Sequence, residues 1–109
     1  MAGGMLLQSA ATDAGNGSVA PCFWIAGEYV GTVITSDAAV TAGDVTFEHA
    51  ITPAGPWEAL APAIAADRNT TQSLRFRGSY GHIRGRISAA VTGGATVTVR
   101  LQTPVPGES

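Results

Sequence analysis

The sequence contains no lysine, and its six cationic side chains are all arginines. Only 13% of the residues are charged, about half the usual share for a globular domain. Many surface positions must therefore be Thr, Ser, Gly or Ala, a composition typical both of surfaces that a partner covers and of GC-rich genomes. The formal net charge of −2 provides no overall attraction to nucleic acid, so we expect no nucleic-acid partner.

Cysteine is nearly absent too, since Cys22 is the only one. A single thiol excludes an internal disulfide framework and a cysteine-based zinc site. Residues 1–10 lack the cationic start and long apolar run of a signal peptide, so we expect a cytosolic site of synthesis. No apolar run approaches the length of a membrane span, so we expect no membrane partner.

Apolar and polar residues alternate along most of the chain, as in strands with one buried face. Near the end, Val97, Val99 and Leu101 share one face, and the intervening Thr98 and Arg100 share the other. The predicted strands are residues 5–10, 19–25, 29–35, 44–51, 57–60, 73–77, 80–88 and 95–101. About eight short strands predict an all-β fold, a single antiparallel β-sandwich or jelly roll.

Glycines indicate how these strands connect. Gly93 and Gly94 separate the last two predicted strands and predict a hairpin between them. Gly27 predicts a second hairpin, between the second and third strands, and Gly31 predicts a bulge within the third.

The composition divides the chain into three segments. Residues 1–18 are rich in Gly, Ala and Ser and predict a flexible N-terminal arm or an edge strand. Residues 19–102 form the predicted sandwich domain. Residues 103–109 contain two prolines and form a predicted C-terminal tail. The ends are either frayed or ordered only against a neighbouring subunit.

Groups for catalysis or metal binding are few. His49 and His82 both lie in predicted strands, and no Gly-X-Ser-X-Gly sequence is present to display a nucleophilic serine. The carboxylates are scattered and form no calcium loop, although calcium held at a sandwich edge by backbone carbonyls stays an alternative. We therefore expect no enzymatic activity, no cofactor and no metal.

The arginines and one tryptophan are the candidate functional residues. Five arginines occupy outward positions of the last three predicted strands: Arg75, Arg77, Arg84, Arg86 and Arg100. On neighbouring strands they would line one sheet face, either as a solvated face paired with acids or as a docking face for an acidic protein. Trp57 follows a Pro- and Gly-rich turn, a setting for either a glycan platform or a packing aromatic. Trp24, beside Phe23, is predicted to pack in the core or at an interface, and Val45, Phe47 and Ile51 to pack in the core.

Five segments together resemble a pattern found in tailed-phage virion proteins. They are residues 43–48 (GDVTFE), 57–60 (WEAL), 72–80 (QSLRFRGSY), 83–87 (IRGRI) and 93–101 (GGATVTVRL). The resemblance covers roughly residues 20–102 and implies a small phage structural domain. The turn before Trp57 departs from the pattern, because residues 52–56 (TPAGP) replace a polar turn that a sugar would need.

This resemblance implies a non-enzymatic virion protein, first of all a capsid decoration or cement protein. Its expected partners are the major capsid protein and sister copies of the chain, in an oligomer such as a trimer. The alternative is a carbohydrate-binding or adhesion module of a phage tail or baseplate, with a glycan as ligand.

Overall fold

The computed structural model describes residues 3–104 and shows a sandwich of two antiparallel sheets with no helix among those residues. This confirms the predicted fold class. The strands are β1 (Gly3–Ala11), β2 (Val19–Pro21), β3 (Ala26–Thr35), β4 (Ala42–Ala50), β5 (Glu58–Ala59), β6 (Ile64–Ala65), β7 (Thr71–Ser79), β8 (His82–Thr92) and β9 (Val97–Thr103). Residues 105–109 of the predicted tail lie outside the described residues.

The front sheet has the strand order β1-β9-β3-β7, and the back sheet has the order β2-β8-β4-β5, with β6 also on β4. In the N-terminal segment, β1 forms an edge strand whose pairing with β9 begins at Gly3 and Thr103. The first and last strands are therefore neighbours within one sheet.

Both predicted hairpins are wrong. β8 lies in the back sheet and β9 in the front sheet, so Gly93 and Gly94 carry the chain across the sandwich. Likewise β2 pairs with β8, whereas β3 pairs with β7 and β9. Gly93 has a φ of 106°, and a Cβ there would stand 2.6 Å from the carbonyl oxygen of Ala39. Glycine thus permits a tight crossing as readily as a hairpin turn.

The core lies between the two inner faces and follows the alternation that the sequence shows. Its largest fully buried side chains include Tyr29, Val33, Val45, Phe47, Ile83, Ile87, Val97, Val99 and Leu101. Ile51, predicted to be in the core, is 73% exposed, because β4 ends at Ala50 and the chain turns outward.

Gly31 marks no bulge, since the register of β3 with both neighbours is regular through it. A Cβ at Gly31 would stand 2.5 Å from Cζ of Phe47 on the opposite sheet. The residue is glycine because the Phe47 ring occupies the space that a side chain would need.

Candidate functional site

The five candidate arginines do not share one face. Arg75 and Arg77 on β7 and Arg100 on β9 belong to the front sheet, whereas Arg84 and Arg86 on β8 belong to the back sheet. The sequence interpretation assumed that the last three strands are neighbours. In the structure β3 lies between β7 and β9, and β8 is in the other sheet.

The outer surface of the front sheet carries the first group, and we call it the front face. It comprises Glu28, Val30, Thr32, Ile34, Ser73, Arg75, Arg77, Thr98, Arg100 and Leu6. Arg75 donates to Glu28 Oε1 at 3.0 Å, and this pair is well exposed. Across the sheet, Arg100 stands opposite Thr32. Three arginines against one glutamate give the front face a positive formal charge.

The back-sheet arginines form a different arrangement around Glu48, which is 8% exposed. Arg84 Nε donates to Glu48 Oε1 at 2.8 Å, and Arg86 Nη1 lies 3.8 Å from Glu48 Oε2. The Arg84 side chain is only 12% exposed, whereas that of Arg86 is 45% exposed. Arg84 therefore belongs to an internal ion pair, and little of its guanidinium group is accessible to a partner protein.

Trp57 covers this ion pair. The guanidinium carbon of Arg84 lies 4.2 Å from the centroid of the indole ring, a cation–π contact. One face of the ring is thus occupied by Arg84, and the side chain as a whole is half-buried. Trp57 contacts the protein as a packing aromatic would, and a sugar would find only part of its surface available.

The histidines take part in ordinary packing. The His49 ring packs edge-on against Tyr80 with centroids 5.2 Å apart, and His82 Nδ1 lies 3.2 Å from the carbonyl oxygen of Ile51. Within residues 3–104, no three His, Cys, Asp or Glu side chains come together as a metal site would require. None of the described segments is a helix long and apolar enough to cross a membrane.

Sequence reasoning missed an exposed pair of aromatic residues. Trp24, beside Phe23, was expected in the core or at an interface; the structure excludes the core, because Phe23 is 75% and Trp24 54% exposed. They occupy the centre of a tight turn between β2 and β3, with φ angles of 53° and 59°. A signal in the sequence could have indicated this turn, since Pro21 and Gly27, residue types that often bound strands, lie within six positions of each other.

Cys22 and Tyr29 are buried beside this turn. Burial raises the pKa of the Cys22 thiol to about 11 and the pKa of the Tyr29 hydroxyl to about 12. The Cys22 thiol donates to the carbonyl oxygen of Ala20 at 3.4 Å, and the Tyr29 hydroxyl donates to that of Ile25. Both groups are neutral near pH 7 and act in packing.

The chain is an antiparallel β-sandwich with three arginines on its front face, a nearly buried Arg84–Glu48 ion pair and an exposed aromatic pair. No protein-family model matches the chain, and no curated protein sequence matches it. The fold is similar to that in the crystal structure of the SPBc2 prophage-derived protein YomS, with a TM-score of 0.64. The match covers 94% of this chain and 91% of that chain at 20% sequence identity, which shows a shared fold.

Proposed function

We propose that this chain is a non-enzymatic structural protein of a phage particle, which decorates or cements the capsid by binding its surface. The observation that carries the proposal is the likeness of nearly the whole sandwich to a prophage-derived protein. The resemblance of five sequence segments to tailed-phage virion proteins supports the same context. The location that follows from the proposal is the virion.

The front face is the surface that we assign to docking. It is the outer surface of a four-stranded sheet, on which Arg75, Arg77 and Arg100 stand among short polar and apolar side chains. Guanidinium groups pair with carboxylates through two parallel hydrogen bonds, so an acidic patch on the major capsid protein is the partner that this surface fits. Arg84 is excluded from this role because Glu48 and Trp57 hold it.

Repetition provides the strength that one small contact lacks. A sheet face of this size supports a modest interface, and many copies on one particle multiply its effect if sister copies also touch. Packing of sister copies, as in a trimer, is part of the proposal.

The test is binding of the purified protein to heads and tails that are isolated separately from the phage encoding it. We expect saturable binding to heads and greater resistance of those heads to heat. The variant R75E/R77E/R100E should bind at least about tenfold more weakly, which corresponds to 1.4 kcal/mol. R68E is the matched control, because Arg68 is exposed and pairs with Asp37 in the loops that adjoin β3 and β7, outside the set of residues that defines the front face.

Circular dichroism of each variant checks that the sandwich still forms. Absence of binding to heads would overturn the decoration proposal, and equal loss of binding in R68E would remove the front face from it. Binding to tails together with a saturable sugar, both abolished by Trp57→Ala, would support the adhesion alternative instead. The contact of Trp57 with Arg84 argues against that alternative.

A further inference from the structure

The turn over residues 22–25, which we call the aromatic turn, carries two large apolar side chains, of which Phe23 is 75% and Trp24 54% exposed. Its closing hydrogen bond runs from the Ile25 amide to the carbonyl oxygen of Cys22 at 3.0 Å. Both central residues, Phe23 and Trp24, have positive φ angles. Turns of this type favour Asn-Gly, and bulky side chains in them are strained.

Several contacts enforce this strained conformation. The amides of Cys22 and Trp24 donate to the carbonyl oxygens of Gly81 and Tyr80 at 2.8 and 2.9 Å. The Ser79 hydroxyl donates to the carbonyl oxygen of Trp24. Below the turn, the ring of Tyr29 packs edge-on against Tyr80 and is stacked on Phe76. The turn is therefore a projection whose conformation these contacts hold, and strain held in this way is typical of interaction sites.

A cavity lies beside the projection at the same end of the sandwich. It has a volume of about 210 Å³ and is lined by His49, Ala50, Ile51, Pro56 and Glu58. The position of Gly81 links the two features. A Cβ on Gly81 would stand 2.9 Å from Cζ2 of Trp24 and 3.1 Å from the carbonyl oxygens of both Ala50 and Ile51. Projection and cavity are thus immediate neighbours.

We propose that two copies of this chain associate through this end, with the Trp24 side chain of each copy inserted into the cavity of the other. A projection and a cavity that lie side by side meet twice across one two-fold axis, which is the geometry of an isologous dimer. The cavity and the exposed Ile51 beside it offer apolar contact to the ring. In this dimer the Glu58 carboxylate at the cavity accepts the indole N–H, the one donor of the Trp24 side chain.

Other occupants fit this end less well. A sugar is held by several polar groups together, but around the turn Ser79 Oγ and the amides of Cys22, Trp24 and Ile25 already have partners within the chain, and the cavity adds chiefly the Glu58 carboxylate. An anionic bilayer attracts cationic surfaces, whereas the chain contains no lysine and has a net charge of −2. A second copy of the chain supplies both the cavity for the Trp24 ring and, in Glu58, the acceptor for its indole N–H.

The contact is small compared with the roughly 800 Å² per partner of a stable interface, so the dimer should be weak. It does not depend on the phage role, and it leaves the front face open for docking.

The test is sedimentation velocity of the purified protein at rising concentration. We expect reversible dimers of the natural chain and only monomers of F23N/W24G, in which the turn carries its preferred residues and folding is favoured. Glu58→Gln should weaken the dimer several-fold. Ile34→Asn, on the front face, is the matched control and should dimerise normally.

A natural chain that stays monomeric at every concentration would overturn the inference, as would dimers of F23N/W24G. Co-sedimentation with phosphatidylcholine vesicles is the second arm. Binding of the natural chain but not of F23N/W24G would identify a bilayer as the occupant and reject the dimer. Head binding is measured separately, so failure of the decoration proposal is distinguishable from failure of this one.

Discussion

Arg84 lies between Trp57 and Glu48, with its guanidinium carbon 4.2 Å from the centroid of the indole ring and its Nε 2.8 Å from Glu48 Oε1. On the outer surface of a sheet, an ion pair is ordinarily solvated and contributes little. Here the turn that carries Trp57 covers it, and both charged side chains are nearly buried. The cluster therefore holds the turn over residues 52–57 against the back sheet.

Arg84→Ala should lower the free energy of unfolding by about 3 kcal/mol, because it leaves the buried Glu48 carboxylate without its nearest partner. Arg86→Ala should cost less than about 1 kcal/mol, since Arg86 is half exposed and 3.8 Å from Glu48. Urea denaturation of both variants measures the difference. Equal costs would contradict the central position of Arg84.

Gly31→Ala should destabilise the sandwich by about 2–3 kcal/mol, because the new methyl group would meet the Phe47 ring at 2.5 Å. Gly15→Ala is the matched control, since a Cβ there meets no atom within 4 Å. Thermal unfolding of the two variants provides the comparison. A neutral Gly31→Ala would mean that the two sheets separate easily at this point.

The Cys22 thiol should resist labelling by a thiol reagent at pH 8, because it is buried and its pKa is raised to about 11. In urea the same reagent should modify one thiol per chain, since the sequence has one cysteine. Both reactions are measured by the absorbance of the chromophore that the reagent releases when it modifies a thiol. Rapid labelling of the folded protein would show that the region below the aromatic turn opens readily.

Tyr29 should make the protein sensitive to alkali. Burial raises the pKa of its hydroxyl to about 12, so the neutral form is favoured in the folded state. Its contribution to stability is complete below pH 10, the ordinary pKa of tyrosine, and is lost as the pH rises towards 12.

Urea unfolding at several pH values tests this, with Tyr29→Phe as the control. The variant should lose about 1 kcal/mol at pH 7 with the hydrogen bond to Ile25, and should lose less than the natural chain on going from pH 10 to 12. Parallel pH profiles for the two proteins would refute the role of Tyr29.

The sequence predicted where the strands lie better than it predicted which strands pair with each other. Alternation correctly indicated that Val97, Val99 and Leu101 face the core, because side-chain direction in a strand is a local property with a period of two. The same alternation placed Arg84 and Arg100 outward on their strands. It carried no information on which sheet each strand joins, and the hairpin across Gly93 was wrong for that reason.

In the candidate site, too, some features were predictable from the sequence and others were not. The outward direction of five arginines was predictable, but their separation into two faces depends on β3 lying between β7 and β9. The sequence left the core and an interface as alternatives for Trp24, beside Phe23, because apolar residues are ordinarily assigned to the core, and the structure exposes both side chains. The outward position of Phe23 and Trp24 follows from the hydrogen bonds of the turn to Tyr80 and Gly81, which only the tertiary structure shows.

By itself, the sequence determined an all-β chain without lysine, with one thiol and with one apolar face per strand. Tertiary structure decided which faces meet, where the arginines stand, and that an aromatic turn adjoins a cavity. The physical reason is distance along the chain. Strand periodicity arises between neighbouring residues, whereas the pairing of Gly3 with Thr103 joins residues 100 positions apart, and no local pattern specifies it.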